Sequence, residues 1–142
     1  IGGTSSGAIC AFTVAWNRPD QFRNVISAIG SYTSIGYRPA QNGQPIVPGG
    51  DLYPTLIRRN PIKPIKIFLQ DGTADLNNQF GNWHLANQQM LSAFEYANAK
   101  ADKDGTLGVR YEVKHNWGDG AHSDAHGGAL LPDILTWIWN ND

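Results

Sequence analysis

A serine near the start of the chain lies between two glycines. Residues Gly3 to Gly7 read Gly-Thr-Ser-Ser-Gly, the G-x-S-x-G pattern in which serine occupies the tip of a sharp turn from a strand into a helix. Glycine two residues before and two after the serine is expected to remove the collisions of so tight a turn. The hydroxyl of Ser5 then lies over a helix N-terminus, where the N–H of Ser6 can donate to a developing oxyanion. A flexible Gly/Ser turn is the alternative interpretation of the pattern alone.

A nucleophilic serine needs a base to accept its proton and an acid to orient that base. Two aspartates follow residues 65–70, Ile-Lys-Ile-Phe-Leu-Gln, which predict a buried strand. Asp71 ends the strand and is expected to hold the turn. Asp75 lies four residues further along and has the reach to face a neighbouring loop. We therefore predict Asp75 as the acid and keep Asp71 as the alternative.

Four histidines are candidates for the base. His122 is preferred, because the small residues at 118–121 let its imidazole approach a serine. His126 is the alternative and is expected to cap or support the last helix. His115 is interpreted as structural, and His84 as solvated on the flank of a helix. Serine, acid and base then follow one another along the chain: Ser5 follows the truncated strand that its motif implies, and Asp75 and His122 each follow a predicted strand.

The loop around the preferred histidine also permits a metal-site hypothesis, because imidazoles and carboxylates are common metal ligands. The candidate ligands are His115, Asp119, His122, Asp124 and His126. Their spacing matches no established metal signature, so we predict neither a metal nor a cofactor.

These candidates are positioned by strands that alternate with helices. Strands are predicted at 24–32, 65–70 and 109–114, and helices at 8–16, 52–59, 82–100 and 130–139, with a long loop at 33–50. Such alternation predicts an α/β fold with a mostly parallel sheet and helices on both faces.

Composition limits the function further. The 142 residues include 11 basic and 12 acidic side chains without a block of like charge, which gives no sign of a nucleic-acid or membrane surface. No apolar run approaches the roughly 20 residues needed to cross a bilayer. The single cysteine, Cys10, is expected to be a small buried hydrophobe in the first helix.

Four segments resemble one family of enzymes. They are the opening Gly-Gly-Thr-Ser-Ser-Gly-Ala and residues 64–75, 81–88 and 122–139. They are similar to the enterochelin-esterase and esterase D group of the α/β-hydrolase superfamily, which includes feruloyl and acetylxylan esterases. The resemblance implies Ser5 as nucleophile, Asp75 of a G-x-x-D turn as acid, His122 as base, and an oxyanion hole that uses the Ser6 N–H.

The chain begins inside the serine motif. Residues 1–142 are therefore expected to be the C-terminal portion of a single α/β-hydrolase domain, with the N-terminal half of the domain absent. The resemblance implies that this missing half supplies the second oxyanion donor, and it is the partner that the chain is expected to need.

The function implied is that of a serine esterase without a cofactor. It would hydrolyse a carbohydrate-linked or aromatic acyl ester, a small-molecule or carbohydrate substrate, through an acyl-enzyme. An acyltransferase of the same fold and a catalytically silent carbohydrate-binding or interaction domain are the alternatives. Any localisation signal is expected in the missing part, and the frequent export of members of this family favours a periplasmic or secreted protein.

Overall fold

The computed structural model describes residues 1–47 and 49–140. Its elements in chain order are β1 (Gly2–Thr4), α1 (Ser6–Asn17), β2 (Asn24–Ala28), α2 (Leu52–Arg59), β3 (Lys66–Gly72), β4 (Asn77–Asn78), β5 (Gly81–Asn82), α3 (Trp83–Lys103), β6 (Glu112–Gly118) and α4 (Ala125–Ile138). Strands and long helices alternate, as the sequence predicts.

The main sheet has four parallel strands in the order β1-β2-β3-β6. Val25 on β2 and Ile67 and Leu69 on β3 are fully buried. Continuous apolar character of this kind is what a parallel strand covered on both faces requires. β4 and β5 form a separate two-stranded antiparallel hairpin that the sequence did not predict.

Helices cover both faces of the main sheet, which confirms the predicted α/β architecture. On one face the central core combines α1, α2 and α3, with Phe12 and Phe94 meeting at 6.0 Å between ring centroids. On the other face α4 packs against β2 and β3. There the rings of Phe68 and Trp137 meet edge to face. No helix in the described ranges is long and apolar enough to cross a membrane.

Several predicted boundaries and environments differ from the structure. The strand predicted at 24–32 ends at Ala28, and the strand predicted at 109–114 lies instead at Glu112–Gly118. The predicted loop at 33–50 contains Pro48, which is outside the described residues. Cys10 is exposed, not buried, because α1 packs through its other side, where Ile9 and Phe12 are buried.

Candidate active site

The predicted chemical residues lie at the carboxyl ends of parallel strands. Ser5 follows β1, Asp75 lies in the turn after β3, and His122 lies in the loop after β6. In open parallel sheets, ligands bind at this edge because the loops that follow the strands converge there. The topology of the sheet therefore brings together residues that are up to 117 positions apart.

The backbone of Ser5 has φ 57° and ψ −121°. Positive φ is uncommon for a residue with a side chain. The turn is held on both sides: the Ser5 amide donates to the Ala28 carbonyl at 3.0 Å, and the Ser5 carbonyl accepts from the Ser31 amide at 3.2 Å. These bonds fix the serine against the end of β2.

Only the first of the two flanking glycines is sterically required. A Cβ at Gly3 would overlap the backbone carbonyl of Gly7, whereas a Cβ at Gly7 would meet nothing within 4 Å. The expectation that both glycines relieve collisions is therefore wrong for Gly7.

This difference between the two glycines predicts a difference in stability. Gly3→Ala is expected to lower the free energy of unfolding by about 3 kcal/mol, the upper end of typical overpacking effects, because the clash is with backbone. Gly7→Ala is the matched control and is expected to change it by less than about 1 kcal/mol. Urea denaturation followed by circular dichroism measures both. Equal stability of the two variants would contradict the assigned geometry.

A continuous path of hydrogen bonds joins serine, histidine and aspartate. Ser5 Oγ lies 2.9 Å from His122 Nε2, and His122 Nδ1 lies 2.7 Å from Asp75 Oδ1. A carboxylate oxygen only accepts, so His122 Nδ1 carries the hydrogen and Nε2 is free to accept from the serine hydroxyl. Asp75 Oδ1 also accepts from the Leu76 amide at 2.7 Å, which fixes its orientation. The arrangement can remove a proton from Ser5.

The hydroxyl of Ser5 has a second partner, which the sequence analysis missed. Ser31 Oγ lies 2.9 Å from Ser5 Oγ and accepts a hydrogen bond from the indole Nε1–H of Trp83 at 3.0 Å. With the Ser5 hydrogen directed to His122, the Ser31 hydroxyl donates to Ser5 Oγ. Ser31 comes shortly after β2, but the strand predicted at 24–32 contained it, so the strand-end rule that selected the other site residues did not select Ser31.

Ser6 is the first residue of α1. The first amides of an α-helix have no carbonyl partner within the helix and carry its partial positive charge. The Ser6 N–H follows the serine directly and belongs to this group. Its role as an oxyanion donor stays a prediction.

The alternative acid, Asp71, is buried near the end of β3, and His84 lies next to its carboxyl group. The carboxyl of Asp71 is fully buried, and its Oδ2 is 3.4 Å from His84 Nδ1. Burial, followed by the hydrogen bond and negative charge of Asp75, raises the pKa of Asp71 to about 8. The side chain of His84 is only 12% exposed, so the expectation that it is solvated is wrong. Burial lowers the pKa of His84 despite the nearby charge of Asp75, which favours its neutral form.

The remaining histidines have other neighbours. The alternative base, His126, lies in the first turn of α4, and its Nδ1 is 3.1 Å from Nε2 of Gln70 on β3. His115 is exposed on β6, with its ring 4.9 Å from that of Trp117. Within residues 1–47 and 49–140, no group of three or more His, Cys, Asp or Glu side chains is placed to hold a metal ion.

Comparison with known proteins reveals similarity at the level of structure. The sequence matches no protein-family model and no curated protein sequence. The fold is similar to that of an enterochelin esterase from Shigella flexneri, with a TM-score of 0.65 and 18% identity over 99% of this chain. It is also similar to a ferulic acid esterase, with a TM-score of 0.62 and 16% identity over 97% of this chain.

The match covers 30% of the enterochelin esterase chain and 50% of the ferulic acid esterase chain, so this chain spans half or less of either structure. The predicted resemblance to this group of esterases is thus confirmed at the level of the fold.

Proposed function

We propose that this chain carries the nucleophile, base and acid of a serine esterase that hydrolyses a carboxylic ester. The observation that carries the proposal is the hydrogen-bonded path from Ser5 through His122 to Asp75. A serine, a histidine with one ring nitrogen free to accept, and a carboxylate on the other nitrogen form the arrangement that activates serine in acyl transfer. The fold adds support, since both similar structures are named as esterases.

The proposed reaction has two halves. His122 Nε2 accepts the Ser5 proton as Oγ bonds to the ester carbonyl carbon, and the imidazolium then protonates the alcohol oxygen as the carbon–oxygen bond breaks. Water then adds to the acyl-enzyme, giving a proton to His122, which returns it to Ser5 as the acid is released. Asp75 stabilises the imidazolium throughout, and the Ser6 N–H donates to the oxyanion.

We propose an ester with an aromatic acyl group, or one linked to a carbohydrate, as substrate. The rings of Tyr37 and Phe80 meet edge to face at 4.8 Å between centroids, and both side chains are partly exposed. Tyr37 belongs to the segment that follows Ser31, and Phe80 belongs to the hairpin that precedes Trp83. We propose that this pair is a stacking surface for an aromatic acyl group or a sugar ring.

A second oxyanion donor is proposed to come from a segment outside this chain. β1 pairs only with β2 among the described strands, so its other edge is available for a further strand. The loss of one oxyanion donor costs about 10²- to 10³-fold in kcat. Turnover by the chain alone is therefore expected to be slow, and covalent modification of the serine is the more sensitive assay.

The proposal predicts that a fluorophosphonate modifies the chain at Ser5 and at no other serine. Ser5 Oγ bonds to phosphorus, fluoride leaves, and His122 accepts the hydroxyl proton. Intact-mass and peptide mass spectrometry would measure the stoichiometry and locate the adduct. Chain unfolded in urea is the control and is expected to remain unmodified, because the activation depends on the folded geometry.

Other outcomes separate the alternatives. If the fluorophosphonate modifies Ser5, a separate sample of unmodified chain can be acylated with 4-nitrophenyl acetate. Transfer of this acetyl group from Ser5 to an added sugar alcohol faster than to water would indicate an acyltransferase. An unmodified Ser5 in correctly folded protein would contradict the esterase proposal and favour a silent binding domain.

A further inference from the structure

A second buried carboxyl group lies close in sequence to Asp75, the acid of the proposed triad. Asp71 is near the end of β3, and its carboxyl is fully buried. Its Oδ2 faces two nitrogens: Asn87 Nδ2 donates to it at 3.3 Å, and His84 Nδ1 lies 3.4 Å away. Its Oδ1 is also buried and receives no hydrogen bond from any donor among the described residues. One carboxyl oxygen of Asp71 therefore has nitrogen neighbours that can donate hydrogen bonds, and the other has no donor.

Asp75 shows the same asymmetry. Its Oδ1 accepts from the Leu76 amide and from His122 Nδ1, both at 2.7 Å. Its Oδ2 is buried and, within the described part of the chain, receives no donor. Asp75 lies four positions after Asp71, in a turn closed by the hydrogen bond from the Asp75 amide to the Gly72 carbonyl at 3.1 Å. Two carboxylates cannot hydrogen-bond to each other, whereas a single proton shared between the two remaining oxygens would satisfy both.

The surroundings decide which carboxyl carries the proton. Two N–H donors on Oδ1 stabilise the ionised form of Asp75. Asp71 faces a neutral amide and His84, whose pKa is lowered by burial, so no cation stabilises a charge there. Burial and the neighbouring Asp75 raise the pKa of Asp71, in agreement with this assignment.

We propose that Asp71 is a positioning residue: as a neutral carboxylic acid it donates a hydrogen bond from Oδ1 to Asp75 Oδ2. This bond fixes the rotation of the Asp75 carboxylate, and through it the ring of His122. The role in catalysis rests on the esterase function proposed above. The location of the proton does not.

The proposed hydrogen bond between Asp71 and Asp75 predicts that stability and the reactivity of Ser5 decline at alkaline pH. The titratable groups that face Asp71 are Asp75, from the turn after β3, and His84, from α3, while β6 places Trp117 beside it in register. The pKa of Asp71 is raised, so its contribution to stability is fully present below the ordinary aspartate pKa. That contribution is lost as the pH rises through about 8. Above that pH two adjacent carboxylates repel each other and the support for His122 is lost.

Two variants of the whole chain test the positioning role through the rate of phosphonylation of Ser5 between pH 6 and 10. Asp71→Ala is expected to slow the reaction by about tenfold to a hundredfold at pH 7, the range for losing a hydrogen bond to a charged group. Asp71→Asn is expected to recover most of that loss, because its amide N–H reproduces the donation. It should also lack the decline near pH 8, since an amide does not ionise.

Infrared spectroscopy provides a readout that needs no reaction. The native chain is expected to show the C=O band of a buried carboxylic acid at pH 6, lost on titration near pH 8 and absent from Asp71→Asn. Asp133→Asn, at an exposed position on α4, is the matched control and is expected to keep the band and the native reaction rate. This comparison remains decisive if Asp71→Ala fails to fold.

The outcomes separate the two proposals. Absence of the carboxylic-acid band, or an alkaline decline that persists unchanged in Asp71→Asn, would overturn the role of Asp71. A band that behaves as expected in a protein whose Ser5 does not react would support the bond between the carboxyl groups and overturn the esterase function instead.

Discussion

The His122→Ala variant is expected to be phosphonylated at Ser5 about 10⁴-fold more slowly than the native chain, or not detectably. His122 Nε2 is 2.9 Å from Ser5 Oγ, and alanine leaves the hydroxyl without a base. Removing one member of a serine–histidine pair in proteases costs as much as removing the whole triad, because the members act as a unit. The second-order rate constant for the fluorophosphonate, followed by intact mass, measures the effect.

A matched control is available on the neighbouring strand. His115 is exposed on β6, and His115→Ala is expected to react within about threefold of the native rate, as exposed side chains away from a site contribute little. The histidine of the first α4 turn, His126, supplies the decisive comparison. A large loss in His126→Ala with none in His122→Ala would mean that the base is misassigned.

The second large effect is expected from Asp75→Asn. Asparagine keeps the size of the side chain but can present an N–H to His122 Nδ1, which then becomes the acceptor and leaves the hydrogen on Nε2. In that tautomer the histidine cannot accept the Ser5 proton. The equivalent change in serine proteases lowers kcat by about 10⁴-fold with the geometry intact. Hydrolysis of 4-nitrophenyl acetate and the rate of phosphonylation are both expected to fall by about this factor.

Asp119→Asn is the control for this prediction, since Asp119 is exposed in the loop that carries His122. It removes the same charge from the same neighbourhood without a contact to the imidazole. Equal losses in both variants would attribute the effect to the local charge, and would contradict the role assigned to the hydrogen bond between Asp75 and His122.

The sequence predicted the candidate site through the order of strand ends. Parallel strands direct their following loops to one edge, so Ser5, Asp75 and His122 could be grouped before any coordinates were considered. Their spatial proximity is what the structure adds, and their catalytic role remains a prediction. The preference for Asp75 over Asp71 relied on reach, and only Asp75 contacts His122 in the structure.

The position of the last strand could not be predicted from local pattern. The alternation in Val109, Arg110 and Tyr111 resembles a strand, but Arg110 binds Asp102 and nearby carbonyls, and Tyr111 is held by Asn98. The position of β6 is instead set by its pairing with β3, which continues to the pair of Gly72 and Gly118. Such pairing depends on partners far away in the chain, which a local window does not contain.

The buried polar contacts beneath the site were missed for a related reason. His84 was expected in solvent because it lies on the flank of a predicted helix. The side chain of Asn82 accepts a hydrogen bond from the Leu85 amide, which fixes where α3 begins. With the helix started there, His84 faces the end of β3. An orientation set by one cap and one strand end leaves no periodic signal in the sequence.

The backbone of Ser5 has a consequence for how the sequence is selected. A non-glycine residue held at such angles costs about 1–3 kcal/mol. Serine recovers only about 0.4–1 kcal/mol of this, because it restricts the unfolded chain more than glycine does. Selection for a stable fold alone would therefore favour glycine over serine at position 5. The native chain retains at this turn a residue that folding disfavours, which is the pattern expected of a position selected for chemistry.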